Sequence, residues 1–208
     1  YEWVAALARW LRGHGGFLMN NACILPQPFD VGLMDVLGFE WGMQEGAEVG
    51  RALCYHKPLV SLPVASEHWQ APWIEQAHVR FGALPGGYAG CDAPDRRAVY
   101  KQYVPVLLEM ARAGWEPITR ARSDCQGVRV ERFGGETSHS PVLLSVTNVT
   151  DAEQTAHLTV EGGLVAKLPA KLRDLIHGTG VPVRRAPGQW VLAVKLEPAQ
   201  AICLRLRG

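Results

Sequence analysis

The sequence predicts an α/β part followed by an all-β part. Two observations support this: three short apolar runs up to Pro63 that alternate with helical patterns, and alternating apolar and polar residues in segments after Trp115. Short apolar runs are typical of strands buried on both faces of a parallel sheet, and alternation is typical of half-exposed antiparallel strands. Because helices give way to strands alone, we expect two folding units, residues 1–115 and 116–208.

The first unit contains three predicted strands and four predicted helices. Apolar residues at helical spacing from Trp3 to Leu11 predict a helix that ends near Gly13. The glycine-rich stretch 82–94 is expected to be irregular. The predicted strands span 17–21, 35–40 and 58–62, and the further predicted helices span 44–54, 73–81 and 94–113.

The second unit is predicted to be an antiparallel β-sandwich. Residues 128–133 alternate apolar and polar side chains, as a half-exposed strand does. Segments 142–146 and 156–160 flank the turn-forming stretch 148–153, and this arrangement predicts a hairpin. Two further strands are predicted at 189–196 and 201–206. We expect about five to seven strands over residues 128–206.

The composition argues against several classes of binding partner. The net charge is +1, from 21 basic and 20 acidic residues, and this balance disfavours a surface for nucleic acid or an anionic membrane. No apolar stretch approaches the roughly 20 residues of a membrane span. The five cysteines are scattered without a CxxC pair, and no HExxH motif occurs. We therefore expect no nucleic acid, no membrane contact, no metal and no other cofactor.

Polar residues follow two of the apolar runs. Asn20 and Asn21 end the first run, and Glu40 and Trp41 end the second. In a parallel sheet covered by helices, ligands bind beyond the carboxyl ends of the strands. A carboxylate, two amides and an indole at such an edge suit a sugar, since amides pair with hydroxyls and aromatic faces stack on sugar rings. Alternatively, Glu40 begins a loop and forms an ion pair with an arginine. Asn20 and Asn21 would form an Asx turn that ends the strand.

Loop residues add candidates to this edge. Asp30 lies in the loop before the second strand, on the side where substrate is expected, and Trp69 is the preferred stacking residue in a long loop. An aromatic side chain is more often a packing residue, so that alternative stays open for Trp69. Asp35 begins the second strand and is expected to be structural. His56 is expected to be a hydrogen-bonded structural histidine.

Several segments together resemble the C-terminal part of bacterial glycoside hydrolases. They are 17–21, 35–40, 57–59, 113–119 and 130–134. These enzymes have a (β/α)8 barrel followed by a small antiparallel β domain. The resemblance implies that the three apolar runs are the sixth, seventh and eighth barrel strands. It also implies that the helix ending near Gly114 is the eighth helix and that 116–208 is the terminal β domain.

The resemblance implies a carbohydrate substrate and a catalytic role for Glu40. Glycosidases use two carboxylates, and the partner of Glu40 is not assigned. Because the first barrel strands are missing, the chain is expected to be a fragment, inactive alone, that self-associates or has its open sheet edge covered by another chain. The alternative is a non-catalytic sugar-binding or partner-docking sandwich, which the single tryptophan after residue 115, Trp190, disfavours.

Overall fold

The computed structural model of the chain describes residues 2–22, 31–39, 43–61, 75–86, 94–137 and 139–207. Both helices and strands occur up to residue 113, and the elements described beyond it are strands. The helices are α1 (Glu2–Gly13), α2 (Met43–Leu53), a π-helix (Glu75–Val79) and α3 (Pro94–Ala113). The strands are β1 (Met19–Ala22), β2 (Val36–Phe39), β3 (Leu59–Ser61), β4 (Ala83–Pro85), β5 (Trp115–Glu116), β6 (Ala121–Ser123), β7 (Val128–Gly134), β8 (Val142–Asn148), β9 (Gln154–Glu161), β10 (Lys171–Arg173), β11 (Gly180–Ala186), β12 (Gln189–Leu196) and β13 (Ala201–Arg207).

The first four strands form one parallel sheet in the order β1-β2-β3-β4. Asn20 pairs with Leu37 between β1 and β2, and Leu37 pairs with Leu59 between β2 and β3. The prediction that the three apolar runs are neighbouring parallel strands is confirmed. The core beneath them includes Leu37 and Leu59, each at most 1% exposed.

The prediction that 82–94 is irregular is wrong at its start, where Ala83–Pro85 forms β4 beside β3. Three residues are too few to show a periodicity in the sequence, so the pattern missed this strand. Gly82, with φ of +62°, turns the chain into it; a Cβ there would lie 2.5 Å from Phe133 Cε1. The helix predicted over 73–81 is, in its described part, a π-helix that ends at Val79.

The buried side chain of Arg51 joins the elements beneath the parallel sheet. From the last turn of α2, its Nη2 donates to the Cys54 and Lys57 carbonyls at 2.8 and 2.5 Å, and Nη1 donates to Phe81 O at 3.4 Å. Burial lowers the pKa of the guanidinium to about 10. Arg51 therefore supplies donors to carbonyls at the entrances of both β3 and β4, where strand pairing has not yet begun.

Helix α1 places its aromatic side chains in solvent. Ala5 and Ala8 are its buried residues, whereas Trp3 is 74% and Trp10 is 58% exposed. The periodicity predicted the helix correctly, but of its large apolar side chains Leu7 and Leu11 are half-buried and the two tryptophans are exposed. None of the helices in the described part of the chain is long and apolar enough to cross a membrane.

The remaining strands form two antiparallel sheets, β10-β11-β12-β9-β6 and β13-β8-β7-β5. Strands β8 and β9 lie in different sheets, so the hairpin predicted for 142–146 and 156–160 is wrong. The Asn148 Nδ2 atom donates to the Ala152 and Glu197 carbonyls, at 2.7 and 2.8 Å, and fixes a connection that crosses between the sheets. Turn residues in a sequence do not distinguish such a crossing from a hairpin.

The sheet β13-β8-β7-β5 is covered on both faces. One face, which includes Leu144 and Val146, packs on the other antiparallel sheet. The opposite face, which includes Phe133 and Leu143, packs on α3 through residues such as Met110. All seven residues of β8 are buried as a result.

We predict that Phe133→Ala lowers the free energy of unfolding by about 3–5 kcal/mol, because it leaves a cavity at a fully buried site. Ile118→Ala is the control, since Ile118 is 71% exposed, and we expect it to change the stability little. Urea unfolding followed by circular dichroism measures both. Equal effects of the two substitutions would contradict the packing of α3 on this sheet.

Candidate functional site

The carboxyl ends of the four parallel strands lie at one edge of their sheet. The last residues of these strands are Ala22, Phe39, Ser61 and Pro85. At this edge the Gly86 amide donates to the Ser61 carbonyl at 2.6 Å, and the Tyr100 hydroxyl of α3 donates to Gly86 O at 3.3 Å. The backbone at this edge is therefore held in place at the ends of β3 and β4.

Of the site residues predicted from the sequence, only the two asparagines lie in the described part of this edge. Asn20 and Asn21 lie on β1, with Asn21 paired to Gly38 of β2. Glu40 follows the last residue of β2 in the sequence, and it lies outside the described residues. Asp30, Trp41 and Trp69 also lie outside them. Their roles and those of the two asparagines remain predictions.

The opposite edge of the sheet holds Asp35 in a structural role. Its Oδ2 accepts from the Leu18 amide at 2.9 Å, and its Oδ1 accepts from Arg12 Nε at 2.9 Å. The Leu18 amide is the main cause that lowers the pKa of the Asp35 carboxyl. This carboxylate joins α1 and β1 to the start of β2, which confirms the expected structural role of Asp35.

A cleft of about 340 Å³ lies near the entrances of β3 and β4, and its charged side chains have partners within the protein. Arg80 forms an ion pair with Glu48, and Trp115 Nε1 donates to Glu131 Oε2 at 2.9 Å. Burial raises the pKa of the Glu131 carboxyl. The charged groups of the cleft are therefore already engaged, and the cleft lies at the amino end of the strands, opposite the edge where parallel sheets bind substrates.

Glu75, Asp174 and His177 form a buried polar cluster between the π-helix and the β sheets. The Glu75 carboxylate accepts from Tyr103 Oη at 2.7 Å and from the Ala201 amide at 2.6 Å. His177 lies between the acids, with Nδ1 2.7 Å from Asp174 Oδ2 and Nε2 3.1 Å from Glu75 Oε1. Hydrogen bonds to Asp174 and then to Glu75 raise the pKa of His177 to about 10.

The cluster is a structural bridge because its oxygens are already occupied by protein donors. Asp174 Oδ1 accepts from the Ile176 and Cys203 amides at 3.0 and 3.1 Å. Asp174 is fully buried and Glu75 is 6% exposed, so neither presents a free carboxylate to a substrate. This cluster was not among the sequence predictions, because Glu75 and His177 are 102 positions apart and no local motif links them.

We predict that His177→Gln destabilises the protein at pH 6 by about 3 kcal/mol, since it removes the charged partner of two buried carboxylates. The pKa of His177 rises from about 6.5 in an unfolded chain to about 10 in the folded protein. Its contribution is therefore complete below pH 6.5 and is lost as the pH rises through 10. Unfolding at pH 6 and at pH 10.5 measures the change.

The exposed His139 provides the control, because we expect His139→Gln to have no comparable effect at either pH. A difference between parent and His177→Gln proteins that stays constant from pH 6 to pH 10.5 would show that the imidazole is neutral in the folded state.

Comparison with solved structures shows the fold of glycoside hydrolases. A maltogenic α-amylase from Thermotoga neapolitana matches with a TM-score of 0.62 at 10% identity, over 100% of this chain and 58% of that chain. A GH27 β-L-arabinopyranosidase from Geobacillus stearothermophilus matches with a TM-score of 0.50 at 11% identity, over 99% of this chain and 61% of that chain.

The sequence itself gives no such match. No protein-family model matches it, and no curated protein is significantly similar to it. The chain spans about three fifths of the length of the two structural neighbours. What the comparisons establish is therefore a similarity of fold along the whole of this chain, as the sequence resemblance implied.

Proposed function

We propose that this chain is the C-terminal part of a glycoside hydrolase that cleaves O-glycosidic bonds, and that the carboxyl edge of its parallel sheet contributes to the active site. The main support is the order of the sheets along the chain, in which four adjacent parallel strands precede two antiparallel sheets. The similarity to two hydrolases extends along the whole chain. In barrel enzymes of this type, catalytic residues follow the carboxyl ends of the strands.

The proposal treats the parallel sheet as part of a (β/α)8 barrel. Each barrel strand is followed by a helix, and β4 is the last parallel strand before α3. With α3 as the eighth helix, β4 takes the place of the eighth strand, and β1, β2 and β3 become the fifth, sixth and seventh. This shifts by one the numbering that the resemblance implied, because β4 was missing from the sequence prediction. Residues 1–115 and 116–208 remain the proposed domains.

Glu40 is the proposed catalytic carboxylate. It directly follows β2 in the sequence, and a carboxyl group there acts either as the acid that protonates the leaving oxygen or as the nucleophile or base. Asn20 and Asn21 at the end of β1 bind sugar hydroxyls in this proposal. Asp30, Trp41 and Trp69 complete the sugar site from the loops. The second carboxylate comes from elsewhere in the longer enzyme.

The second unit supports the barrel in this proposal and does not bind sugar by itself. Apart from histidines, its aromatic residues after Glu116 are Phe133 and Trp190. Phe133 is fully buried, and Trp190 is 8% exposed with its Nε1 donating to Val165 O at 3.0 Å. A stacking platform for a sugar needs an exposed aromatic face, so the alternative of a sugar-binding sandwich gains no support.

The open edge of the parallel sheet is the proposed contact with another chain or with further barrel strands. In the described sheet β1 has one neighbour, β2, so its other side offers unpaired backbone groups. Phe17, two residues before β1, is 66% exposed, and Trp3 and Trp10 of the preceding helix α1 are also exposed. Exposed apolar side chains, together with an open strand, favour association.

We predict that Glu40→Gln, made in the full-length enzyme, lowers the turnover number by a factor of about 10²–10⁴, since it keeps the shape of the side chain and removes proton transfer. Hydrolysis of a panel of aryl glycosides measures this, with the parent enzyme first used to find its substrate. Binding of the substrate should change little.

Glu48→Gln is the matched control, because Glu48 is an exposed glutamate of α2 that pairs with Arg80. It should retain parental turnover. A Glu40→Gln enzyme within a few-fold of the parent would remove the catalytic role, and a parent enzyme that cleaves no glycoside would remove the proposed function.

We also predict that the isolated chain self-associates through its open edge. Light scattering should give a mass above the 22.8 kDa of one chain. The double substitution Trp3→Lys and Trp10→Lys should lower that mass, whereas Ile118→Lys, at an exposed site in the second unit, should not. A parent chain that stays monomeric at high micromolar concentration would contradict the prediction.

A further inference from the structure

His56, Glu116 and Glu136 bring three ligand atoms together where the two units meet. His56 precedes β3, Glu116 lies on β5 and Glu136 follows β7. His56 Nε2 is 3.0 Å from Glu116 Oε1 and 3.2 Å from Glu136 Oε1, and the three atoms all lie within 4.8 Å of one another. In the described part of the chain, this is the one group of histidine and acidic side chains with such a separation.

The two contacts of His56 Nε2 have ion-pair distances, but Nε2 and Glu116 Oε1 do not have the geometry of a hydrogen bond. Glu116 has a side chain that is 9% exposed, and its buried Oε1 has no hydrogen-bond partner. The buried His56 Nε2 has none either, although both carboxylate oxygens are near. An unpaired buried oxygen costs about 1–3 kcal/mol. A cation between the three atoms would satisfy all of them.

Neighbouring groups hold these side chains in place. Arg132 Nη2 lies 3.3 Å from Glu116 Oε2, which leaves Oε1 directed to His56. His56 has a left-handed backbone with φ of +58°. Its ring lies on Gly114, where a Cβ would be 2.6 Å from Nδ1. The residues around the cluster therefore fix the imidazole and the buried carboxylate before any ion arrives.

We propose that His56 Nε2 and one oxygen each of Glu116 and Glu136 bind a zinc ion. Imidazole nitrogen and carboxylate oxygen are both zinc ligands, with bonds of about 2.0–2.2 Å, and tetrahedral geometry then separates ligand atoms by about 3.4 Å. The observed 3.0 and 3.2 Å need only small shifts to reach that separation. Two carboxylates and one arginine leave a net charge of −1 to attract the cation.

The zinc ion serves as a cross-link between the units. Its ligands come from the loop before β3, from β5 and from the segment after β7, so it ties the parallel sheet to an antiparallel one. The site lies at the amino end of β3, opposite the carboxyl edge assigned to catalysis. It therefore stands independently of the proposed function, and its loss should lower stability rather than the chemistry of hydrolysis.

The test uses the untagged chain after treatment with a chelator. Titration calorimetry with Zn²⁺ should show one equivalent bound, and the melting temperature should rise with the Zn²⁺ concentration. His56→Gln and Glu136→Gln should each weaken binding by more than about tenfold, the smallest loss typical of residues that only orient metal ligands. Glu136 is 58% exposed, so its substitution leaves the core intact, and circular dichroism checks this.

Two matched variants separate this site from other zinc ligands. His157 forms an exposed pair with Asp124, at 3.1 Å between Nδ1 and Oδ2. The variant His157→Gln therefore tests whether an ordinary pair of an imidazole and a carboxylate accounts for the zinc binding. Cys125→Ser tests the partly exposed thiol. Both should keep parental affinity. Absence of stoichiometric binding, or binding unchanged in His56→Gln and Glu136→Gln, would overturn the proposal.

Discussion

The constraint on which the rest of the structure depends is the burial of the sheet β13-β8-β7-β5 on both faces. Alternate residues of β8 point to different cores: Leu144 packs with the second antiparallel sheet and Leu143 packs with α3. A strand with two apolar faces is stable only when both covers are present. The position of α3, and with it the last parallel strand, is therefore fixed relative to the β sheets.

Apolar contact alone would leave that interface free to slide, because burial of apolar surface has no preferred direction. The Glu75 carboxylate supplies the direction. Its three partners are a hydroxyl of α3, the imidazole of His177 and the amide of Ala201 on β13. A buried acceptor needs its donors. A displacement of the π-helix against β13 would therefore leave the Glu75 carboxylate in the core without its hydrogen bonds. The polar cluster thus sets the register that the apolar core leaves open.

Patterns that depend on neighbouring residues were predictable from the sequence, and patterns that depend on distant ones were not. Alternation predicted β7, two further strands were predicted where β12 and β13 lie, and apolar runs predicted the parallel pairing of β2 and β3. Strand β4 was not predicted, because a segment of three residues is too short to show the periodicity of a strand. The connection after Asn148 was misassigned because its partner carbonyls, such as Glu197 O, lie far along the chain. At the candidate site, strand ends were predictable, whereas the approach of Glu75 to His177 was not.

The bond between Glu75 and the Ala201 amide spans 126 positions of the chain, and this distance matters during synthesis. At about 5–20 residues per second, a ribosome needs several seconds or more to supply the partner of a carboxylate that it has already released. Until then Glu75 lacks its amide partner, and α3 lacks the apolar contacts that Ala201 and Cys203 of β13 supply. We therefore expect the interface between the π-helix, α3 and β13 to close late in folding, because it depends on contacts between distant parts of the chain.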